Sequence, residues 1–191
     1  MTAVTIFGAG KMGSALGSLF SSAGARVQHI TSSTPAGNVE GEIVVLAVPY
    51  PAITDVFSSY GDQLAGKVVV DISNPVDFVT FQLAVPSDSS ATAEIAAALP
   101  TSKVLKAFNT NFAATLATKN IGNTITTTVL IAGDDDDAKT ALGELVTAAG
   151  VQSIDVGALT SARELEALGY LQLQLGISQK LGFAGGFAVI R

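Results

Sequence analysis

The sequence contains no cysteine and only one histidine, His29, among its 191 residues. Without cysteine no disulfide framework can form, which favours a cytoplasmic protein. The residues before Lys11 include no basic one and are too glycine-rich for the apolar core of a secretory signal, which supports the same expectation. With one histidine and no thiol, neither a zinc cluster nor a Ser-His or Cys-His hydrolase site can be built, so we predict no metal.

Charge is also scarce. Only 14% of the residues are charged, ten basic and sixteen acidic, and no Lys/Arg cluster occurs, so we expect no nucleic-acid partner. Hydrophobic residues make up 48% of the chain. The longest stretches without charge, residues 12–25 and 120–133, are nevertheless shorter than the roughly 20 apolar residues of a spanning helix, and polar residues or glycines interrupt both. We therefore expect no membrane span.

Short β-branched runs alternate with alanine-rich helical segments, and several runs are apolar throughout, as in parallel strands buried on both faces. We predict a single domain, 1–191, with an α/β, doubly wound, mainly parallel sheet (an NAD(P)-binding Rossmann fold) and a C-terminal helix and tail over about 158–191. The predicted strands are Val4–Phe7, Ala25–Ile30, Glu42–Val48, Lys67–Ile72, Lys103–Phe108, Thr124–Ala132 and Val151–Val156. The predicted helices are Met12–Ser22, Ile53–Tyr60, Ala91–Leu99, Phe112–Ala117, Asp135–Ala149 and Ser161–Leu181.

One connection is too short for this pattern. Residues Thr31–Gly41 join the second and third predicted strands, and Pro35 and Gly37 interrupt them. A parallel crossover normally takes about a dozen residues or more and a helix. We therefore expect a trimmed sheet edge, with the third strand on the far side of the first, across the point where the strand order reverses.

A glycine-rich segment, Gly8-Ala9-Gly10-Lys11-Met12-Gly13, follows the first predicted strand and opens the first helix. In a dinucleotide-binding turn, the first glycine permits the tight turn, the second lets the backbone approach a pyrophosphate, and the third lets the helix pack on the strand. The N–H groups at the helix start then bind the anion. The alternative is a purely structural turn. We predict dinucleotide contacts from Gly8, Ala9, Gly10, Lys11 and Met12.

The end of the second predicted strand favours NADP over NAD. An NAD site usually has an acidic residue there, about 20 positions after the glycines, which bonds the ribose 2′-hydroxyl. This chain has Thr31, Ser32 and Ser33 instead, whose hydroxyls can donate to a 2′-phosphate. No arginine follows the strand, and the alternative is a hydroxyl-stabilised turn that merely ends it.

Ligands of doubly wound sheets bind outside the carboxyl ends of the strands. Three predicted strands end in Val48-Pro49, Asn74-Pro75 and Asn109-Thr110. Proline holds the backbone extended and asparagine offers amide donors and acceptors where a nicotinamide would lie, although each is also a common turn residue. No catalytic residue is predicted. The sequence shows no obvious proton-transfer machinery, which suits hydride exchange between two redox cofactors.

Six segments form a recognisable series: Gly8–Gly13, Ala47–Pro49, Asn74–Pro75, Lys106–Thr110, Ala132–Asp134 and Ala162–Glu166. Together they resemble the NADP oxidoreductase family typified by deazaflavin-dependent NADP reductase, over nearly the whole chain. The resemblance implies reversible hydride transfer between NADPH and a flavin- or deazaflavin-like acceptor.

The family's pattern also implies where each part of the ligands lies. The implied positions are the pyrophosphate on Gly8–Met12, the 2′-phosphate on Thr31–Ser33, the nicotinamide near Pro49 and Asn74, and the acceptor near Pro75, Asn109, Thr110 and Phe183. Typical members carry Ser-Arg-Arg-like residues where this chain has Thr-Ser-Ser. Our hypothesis is an NADPH-dependent oxidoreductase with a flavin-like or small carbonyl acceptor. The alternative is a non-enzymatic NADP(H)-binding protein that senses redox state.

The predicted C-terminal helix is apolar on two sides. At about 100° per residue, Leu168, Leu171 and Leu175 share one face, and the roughly opposite face carries Tyr170, Leu173, Ile177 and Leu181. A helix that is apolar on two faces must be covered on both. We predict that the sheet covers one face and a second subunit the other, giving a homodimer. The alternative is a monomer whose tail, from Gly182 onward, covers the second face.

Overall fold

A computed structural model describes residues 1–35 and 37–190, in which strands and helices alternate. The strands are β1 (Ala3–Phe7), β2 (Arg26–Ile30), β3 (Ile43–Leu46), β4 (Val68–Asp71), β5 (Val76–Asp77), β6 (Gln82–Leu83), β7 (Lys103–Lys106), β8 (Asn120–Ile121), β9 (Ile125–Thr126), β10 (Thr128–Gly133) and β11 (Gln152–Asp155). The helices are α1 (Lys11–Ser22), α2 (Ile53–Leu64), α3 (Ala91–Ala98), α4 (Ala113–Thr118), α5 (Asp136–Ala148) and α6 (Ala162–Ile177). Short 3-10 turns precede α2 and α6.

Seven strands form the central sheet in the order β11-β10-β7-β4-β3-β1-β2. All neighbours are parallel except β10, which runs antiparallel to β7. The doubly wound fold is confirmed. The predicted reversal of strand order is confirmed too, because β1 pairs with β2 on one side and with β3 on the other.

The trimmed connection has no helix in residues 31–35 and 37–42. Side chains of the first two strands hold it against the sheet instead. Gln28 donates from Nε2 to the carbonyl of Asn38 (2.9 Å), and the N–H of Gly41 donates to Thr5 Oγ1 (2.8 Å). The edge strand β2 is consequently covered by extended chain where a crossover helix would otherwise pack.

Helices cover the sheet on both faces, which is why β3, near its centre, is apolar at every position. Val44 and Leu46 of β3 point to one face and Ile43 and Val45 to the other, and all four are buried. One core forms against α1, α4 and α5, and the other against α2 and α3. This two-sided burial leaves the carboxyl ends of the parallel strands free to carry a site.

Three predicted elements differ from the structure by more than two residues, and the first is α2, which ends at Leu64 instead of Tyr60. The run Thr124–Ala132 is not one strand, because it divides into β9, which forms a hairpin with β8, and β10 of the central sheet. The last helix ends at Ile177 instead of Leu181. No helix in the described ranges is long and apolar enough to cross a bilayer.

The buried face of α6 is not one of the two predicted leucine faces. Its inward residues are small or polar as well as apolar: Ala162, Leu165, Glu166, Gly169, Gln172 and Gly176. Close approach is the physical reason, because a Cβ on Gly169 would lie 2.8 Å from the carbonyl oxygen of Asn109. Leu171 and Ile177 remain about half exposed, at 47% and 46%. The expectation that a leucine face packs on the sheet is therefore wrong.

Candidate functional site

The glycine loop between β1 and α1 is fixed by close backbone contacts. Gly8 has a φ of 109°, in the left-handed region, and its N–H donates to the carbonyl of Ile30 (2.8 Å). A Cβ on Gly13 would lie 2.5 Å from the Gly8 carbonyl oxygen, so α1 packs directly on the turn. Gly10 is different, because nothing lies within 4 Å of where its Cβ would be. The middle glycine therefore opens onto free space.

The first turn of α1 presents N–H groups without a side-chain cap. Gly10 is the N-cap residue, and no side chain among the described residues accepts a hydrogen bond at this end. Unpaired N–H groups at a helix start carry partial positive charge and bind anions. Lys11 lies at the same helix start, where its side chain is exposed. The loop thus combines open space with donors, as a pyrophosphate site requires.

His29 supports this loop from the neighbouring strand. Its Nδ1 lies 3.0 Å from the carbonyl oxygen of Gly8, and its Nε2 lies 2.6 Å from where a Cβ of Gly17 would be. The half-buried ring is therefore wedged between the turn and α1. Its position fits a structural contact to the loop, as expected for a residue inside the second strand.

A cavity of about 470 Å³, here called the α2 cavity, lies beyond the carboxyl ends of β1, β2 and β3. Phe7 and Tyr60 form an aromatic wall, with ring centroids 5.1 Å apart. The lining also includes three of the predicted residues, Thr31, Ser32 and Val48. The cavity therefore joins an apolar wall to a group of hydroxyls, beside the end of the second strand.

The hydroxyls at the end of β2 form a small network. Thr31 Oγ1 lies 2.9 Å from Ser33 Oγ and 3.0 Å from Thr34 Oγ1, and Thr34 Oγ1 also accepts from the N–H of Thr31 (2.8 Å). The N–H of Thr34 donates to the carbonyl of Thr31 (2.9 Å), which closes a turn. The hydroxyl-stabilised turn, which the sequence offered as the alternative to a 2′-phosphate site, is therefore present. It gathers these hydroxyls at the edge of the α2 cavity.

A second cavity of about 450 Å³, here called the α6 cavity, lies on the other side of the glycine loop. It brings together five predicted residues from distant parts of the chain: Lys11, Met12, Asn74, Asn109 and Phe183. Apolar side chains and amides dominate the rest of its lining, and among the described residues that line the cavity Lys11 is the only titratable one. The cavity can hold a flat, largely apolar ligand and offers little for proton transfer.

Two amides at the floor of the α6 cavity lock together. Asn74 Nδ2 donates to the carbonyl of Asn109 (2.8 Å), and Asn109 Nδ2 donates both to Asn74 Oδ1 (2.9 Å) and to the carbonyl of Leu165 in α6 (2.8 Å). Gly169 lies directly against this pair. The amide pair thus ties the ends of two strands to the last helix.

The chain leaves β7 through a left-handed residue. Phe108 has a φ of 61° and is completely buried, with its ring edge-to-face on Phe20 at a centroid distance of 5.9 Å. Such a conformation costs an aromatic residue of order 1–3 kcal/mol and persists only where its surroundings enforce it. The resulting turn places Asn109 and Asn111 in the lining of the same cavity.

Seven predicted site residues line neither cavity: Gly8, Ala9 and Gly10 of the glycine loop, Ser33 of the hydroxyl network, and Pro49, Pro75 and Thr110. Pro49 precedes the 3-10 turn before α2, and its carbonyl accepts from the N–H of Ala52 (2.9 Å). Pro75 opens the β5–β6 hairpin. Thr110 accepts at its carbonyl from Gln172 Nε2 (3.0 Å), so it holds α6 in place. Ala9 and Gly10 lie in the glycine loop itself.

The sequence analysis missed the contribution of α6 to the lining of the α6 cavity. Gly169, Gln172 and Leu173 line the cavity, together with Phe112 at the start of α4. Gln172 is 2% exposed and bridges the β7 exit to the tail, since its Oε1 accepts from the N–H of Phe187 (3.1 Å). A signal was available, because Glu166, Gly169 and Gln172 recur every three residues and mark a polar inward face.

Tyr50 stands near the same edge of the sheet but is not available as a base. Its hydroxyl donates to the Glu94 carboxylate. Burial, with this carboxylate beside it, raises the pKa of Tyr50 far above its usual value. The phenol therefore stays protonated at any physiological pH.

Comparison with known proteins gives consistent matches. The profile of the family described as NADP oxidoreductase coenzyme F420-dependent matches residues 29–75. The chain is 32% identical to the F420-dependent NADP reductase of Methanocaldococcus jannaschii over 147 residues, 74% of this chain and 65% of that enzyme. It is 32% identical to the F420-dependent NADP reductase of Methanothermobacter marburgensis over 153 residues, 76% of this chain and 67% of that enzyme. The chain thus spans about two thirds of these relatives.

A solved structure resembles the whole chain. It is the crystal structure of a protein of Arthrobacter sp. FB24, described as a candidate F420-dependent NADP reductase. The alignment covers 100% of this chain and 100% of that chain, with a TM-score of 0.85 and 24% identity. At this identity the likeness shows the fold.

The contact between Gly13 and Gly8 predicts that Gly13→Ala destabilises the protein. The added methyl group meets the Gly8 carbonyl oxygen, and such overpacking costs about 1–3 kcal/mol. Urea denaturation followed by circular dichroism measures the change. Gly61→Ala is the matched control, because its Cβ meets nothing within 4 Å and alanine in a helix stabilises by roughly 0.5–1 kcal/mol. Equal stabilities of the two variants would contradict the close packing.

Proposed function

The chain belongs to the coenzyme F420-dependent NADP oxidoreductase family, and on this premise we propose that it is an oxidoreductase that transfers hydride between NADP(H) and a flavin- or deazaflavin-like acceptor. The observation that carries the proposal is the pair of cavities on either side of the glycine loop, at the carboxyl edge of the sheet. A dinucleotide laid across that loop has its adenosine half in one cavity and its nicotinamide half in the other.

The fit on the adenosine side comes from this chain's own residues. Gly10 leaves room for the pyrophosphate, and the start of α1 supplies N–H donors. The hydroxyls of Thr31, Ser32 and Ser33 would hold the 2′-phosphate of NADP. Residues 31–35, which follow β2, include no carboxylate to repel this phosphate, and the carboxylate in the described lining of the α2 cavity, Asp55, belongs to α2 instead. The missing acid after β2 is why we propose NADP in preference to NAD.

The α6 cavity would take the nicotinamide and the acceptor ring. Its volume of about 450 Å³ lies within the usual range for ligand pockets, and its apolar walls with a few amides are typical of them. We propose that Asn74 meets the nicotinamide and that Asn109 and Phe183 meet the acceptor, because all three line this cavity. NADPH, when bound, supplies the hydride. The chain's residues hold two flat rings together and exclude water.

The lack of acid–base groups favours a flavin- or deazaflavin-like acceptor over a small carbonyl. Reduction of a carbonyl to an alcohol needs a proton donor beside the oxygen, and the cavity offers only Lys11 among its described lining residues. The same feature motivates the second candidate, a non-enzymatic NADP(H)-binding redox sensor. A cytoplasmic location stays a prediction.

We propose a homodimer formed through α6 and the β5–β6 hairpin. Leu171 and Ile177 are exposed on α6, and Phe78 and Val79 are exposed in the turn of the hairpin, which contacts α6. The link is direct, because the Tyr170 hydroxyl donates to the carbonyl of Phe81. An apolar surface of this kind is what a second copy would bury. The tail itself packs on the same chain through Phe183, whose ring contacts Phe112 at a centroid distance of 4.9 Å.

Anaerobic stopped-flow mixing tests the proposed reaction. The enzyme with NADPH should reduce coenzyme F420, FMN or riboflavin faster than NADPH alone does. Gly10→Val is the matched control, since its side chain has space in the fold but occupies the path of the pyrophosphate. Tight NADPH binding without reduction of any acceptor would favour the redox sensor, and no binding of NADPH would overturn both candidates.

The cofactor preference is tested by Thr31→Asp. A carboxylate at this position repels the 2′-phosphate, so NADPH should bind at least about tenfold more weakly, or about 1.4 kcal/mol, while NADH does not lose affinity. Calorimetry with both cofactors measures the ratio. Thr101→Asp, exposed before β7 at the opposite edge of the sheet, is the control. Equal affinities of the wild type for NADPH and NADH would contradict the preference.

The dimer is tested by light scattering. The wild type should have twice the 19.3 kDa mass of one chain at micromolar concentration, and Leu171→Asp should give monomers because it buries a charge in the interface. Ala141→Asp introduces the same charge on the exposed side of α5 and should remain dimeric. A wild-type mass near that of one chain would refute the proposal.

A further inference from the structure

Lys106 carries a fully buried positive charge that the proposed reaction does not use. It is the last residue of β7, and its exposed fraction is 0%. Its Nζ lies 2.8 Å from Asp71 Oδ2 and 2.8 Å from Glu166 Oε1, and donates to the carbonyl of Ser73 at 2.7 Å. All three ammonium hydrogens are thereby used by two chain segments, the end of β4 and α6.

The two carboxylates extend the contact to further elements. Asp71 Oδ1 accepts from the N–H of Ser73 (2.8 Å), and Asp71 Oδ2 accepts from Thr92 Oγ1 (2.7 Å). Glu166 accepts from the N–H of Ala91 (3.0 Å) at the start of α3. We call Asp71, Lys106 and Glu166 the buried ion cluster. It joins β4, β7, α3 and α6 at one point.

The cluster lies immediately behind the amide pair of the α6 cavity. Asp71 accepts from the N–H of Ser73, and Lys106 donates to the carbonyl of Ser73. Because Ser73 directly precedes Asn74, these two bonds hold the backbone of Asn74 in place. Glu166 follows Leu165, whose carbonyl accepts from Asn109. Both partners of the amide pair are thus attached to the cluster through adjacent residues.

We infer that Lys106 is a positioning residue, which sets Asn74, Asn109 and α6 against one another so that the two rings of the proposed reaction meet in a productive geometry. The expected effect on the hydride-transfer rate rests on the proposed function. The positioning of Asn74, Asn109 and α6 rests on the contacts described above. Misplacement of reacting groups by about 1 Å can cost about 100-fold in rate.

Stability alone does not explain the charges. Replacing a complete buried ion cluster by apolar or neutral groups is often neutral or stabilising, whereas removing one partner strands the others without compensation. Burial raises the pKa of Glu166, and Lys106 opposes this shift, so the ammonium favours the ionised form of the carboxyl. What apolar packing could not supply is the directed hydrogen bond from Nζ to the Ser73 carbonyl.

The test compares Lys106→Met with a triple variant, Lys106→Met/Asp71→Asn/Glu166→Gln. The single variant should lose stability, because two carboxylates remain without a cation. The triple variant should recover most of that stability and still lack the bond to Ser73. In both, the hydride-transfer rate constant should fall by about 100-fold, and by more than the affinity for NADPH falls, because the glycine loop and the α2 cavity, which would hold the rest of the cofactor, are untouched.

A second measurement is independent of activity. The side-chain amide resonances of Asn74 and Asn109 in the ¹⁵N spectrum of the triple variant should shift and exchange faster with solvent. Lys139→Met is the matched control, because Lys139 is also buried and paired with Asp136 and Asp155 but lies on α5, outside the lining of the α6 cavity. It should lower stability without moving these resonances or the rate.

The outcomes separate the two ideas. A stable triple variant with unmoved amide resonances, or with a wild-type rate, overturns the positioning role. A wild type that reduces no acceptor overturns the proposed function, and the amide resonances then still decide whether Lys106 positions the pair. If the single variant does not fold, the triple variant alone carries the test.

Discussion

Burying an ammonium group between two carboxylates is tolerated only when nearly every charged atom has a hydrogen-bond partner, because desolvation of the ions is so costly. Lys106 meets this condition by reaching Asp71, Glu166 and the Ser73 carbonyl together. The condition constrains everything around it. Two strands must end at the same level, α3 must begin there, and α6 must cross close enough for Glu166 to reach in. The ligand edge of the sheet is consequently built as one unit around a charge.

The glycine loop divides that edge into two compartments of different character. The α2 cavity has an aromatic wall and hydroxyls, and is formed by the first half of the chain. The α6 cavity has apolar rings and locked amides, and draws Phe183 and Leu173 from the last 30 residues. The first compartment suits the invariant half of a dinucleotide. The second combines the ends of core strands with α6 and the tail, so its shape depends on how the C-terminal segment packs over the sheet.

The strands and the reversal of their order were predictable because they depend on local signals. Four consecutive apolar residues such as Ile43–Leu46 indicate a strand buried on both faces, and an eleven-residue connection cannot hold a crossover helix. The buried face of α6 was not predictable from apolar periodicity. There, contact distance decides burial, so Gly169 and Gln172 turn inward while Leu171 stays exposed. Periodicity measures which side chains avoid water, and it is silent about where two backbones must come close.

The same contrast explains which site residues sequence reasoning found. Gly8 and Asn74 follow strands directly, and the ends of neighbouring parallel strands meet in space whatever the tertiary detail. Lys106 and Glu166 lie in two of the six segments that carry the family resemblance, yet the sequence assigns no role to either. Their meaning depends on a contact across 60 residues of chain. A charged residue inside an otherwise apolar strand, with no adjacent counter-charge, is therefore itself a signal, since its partner must arrive from a distant element that the fold brings over it.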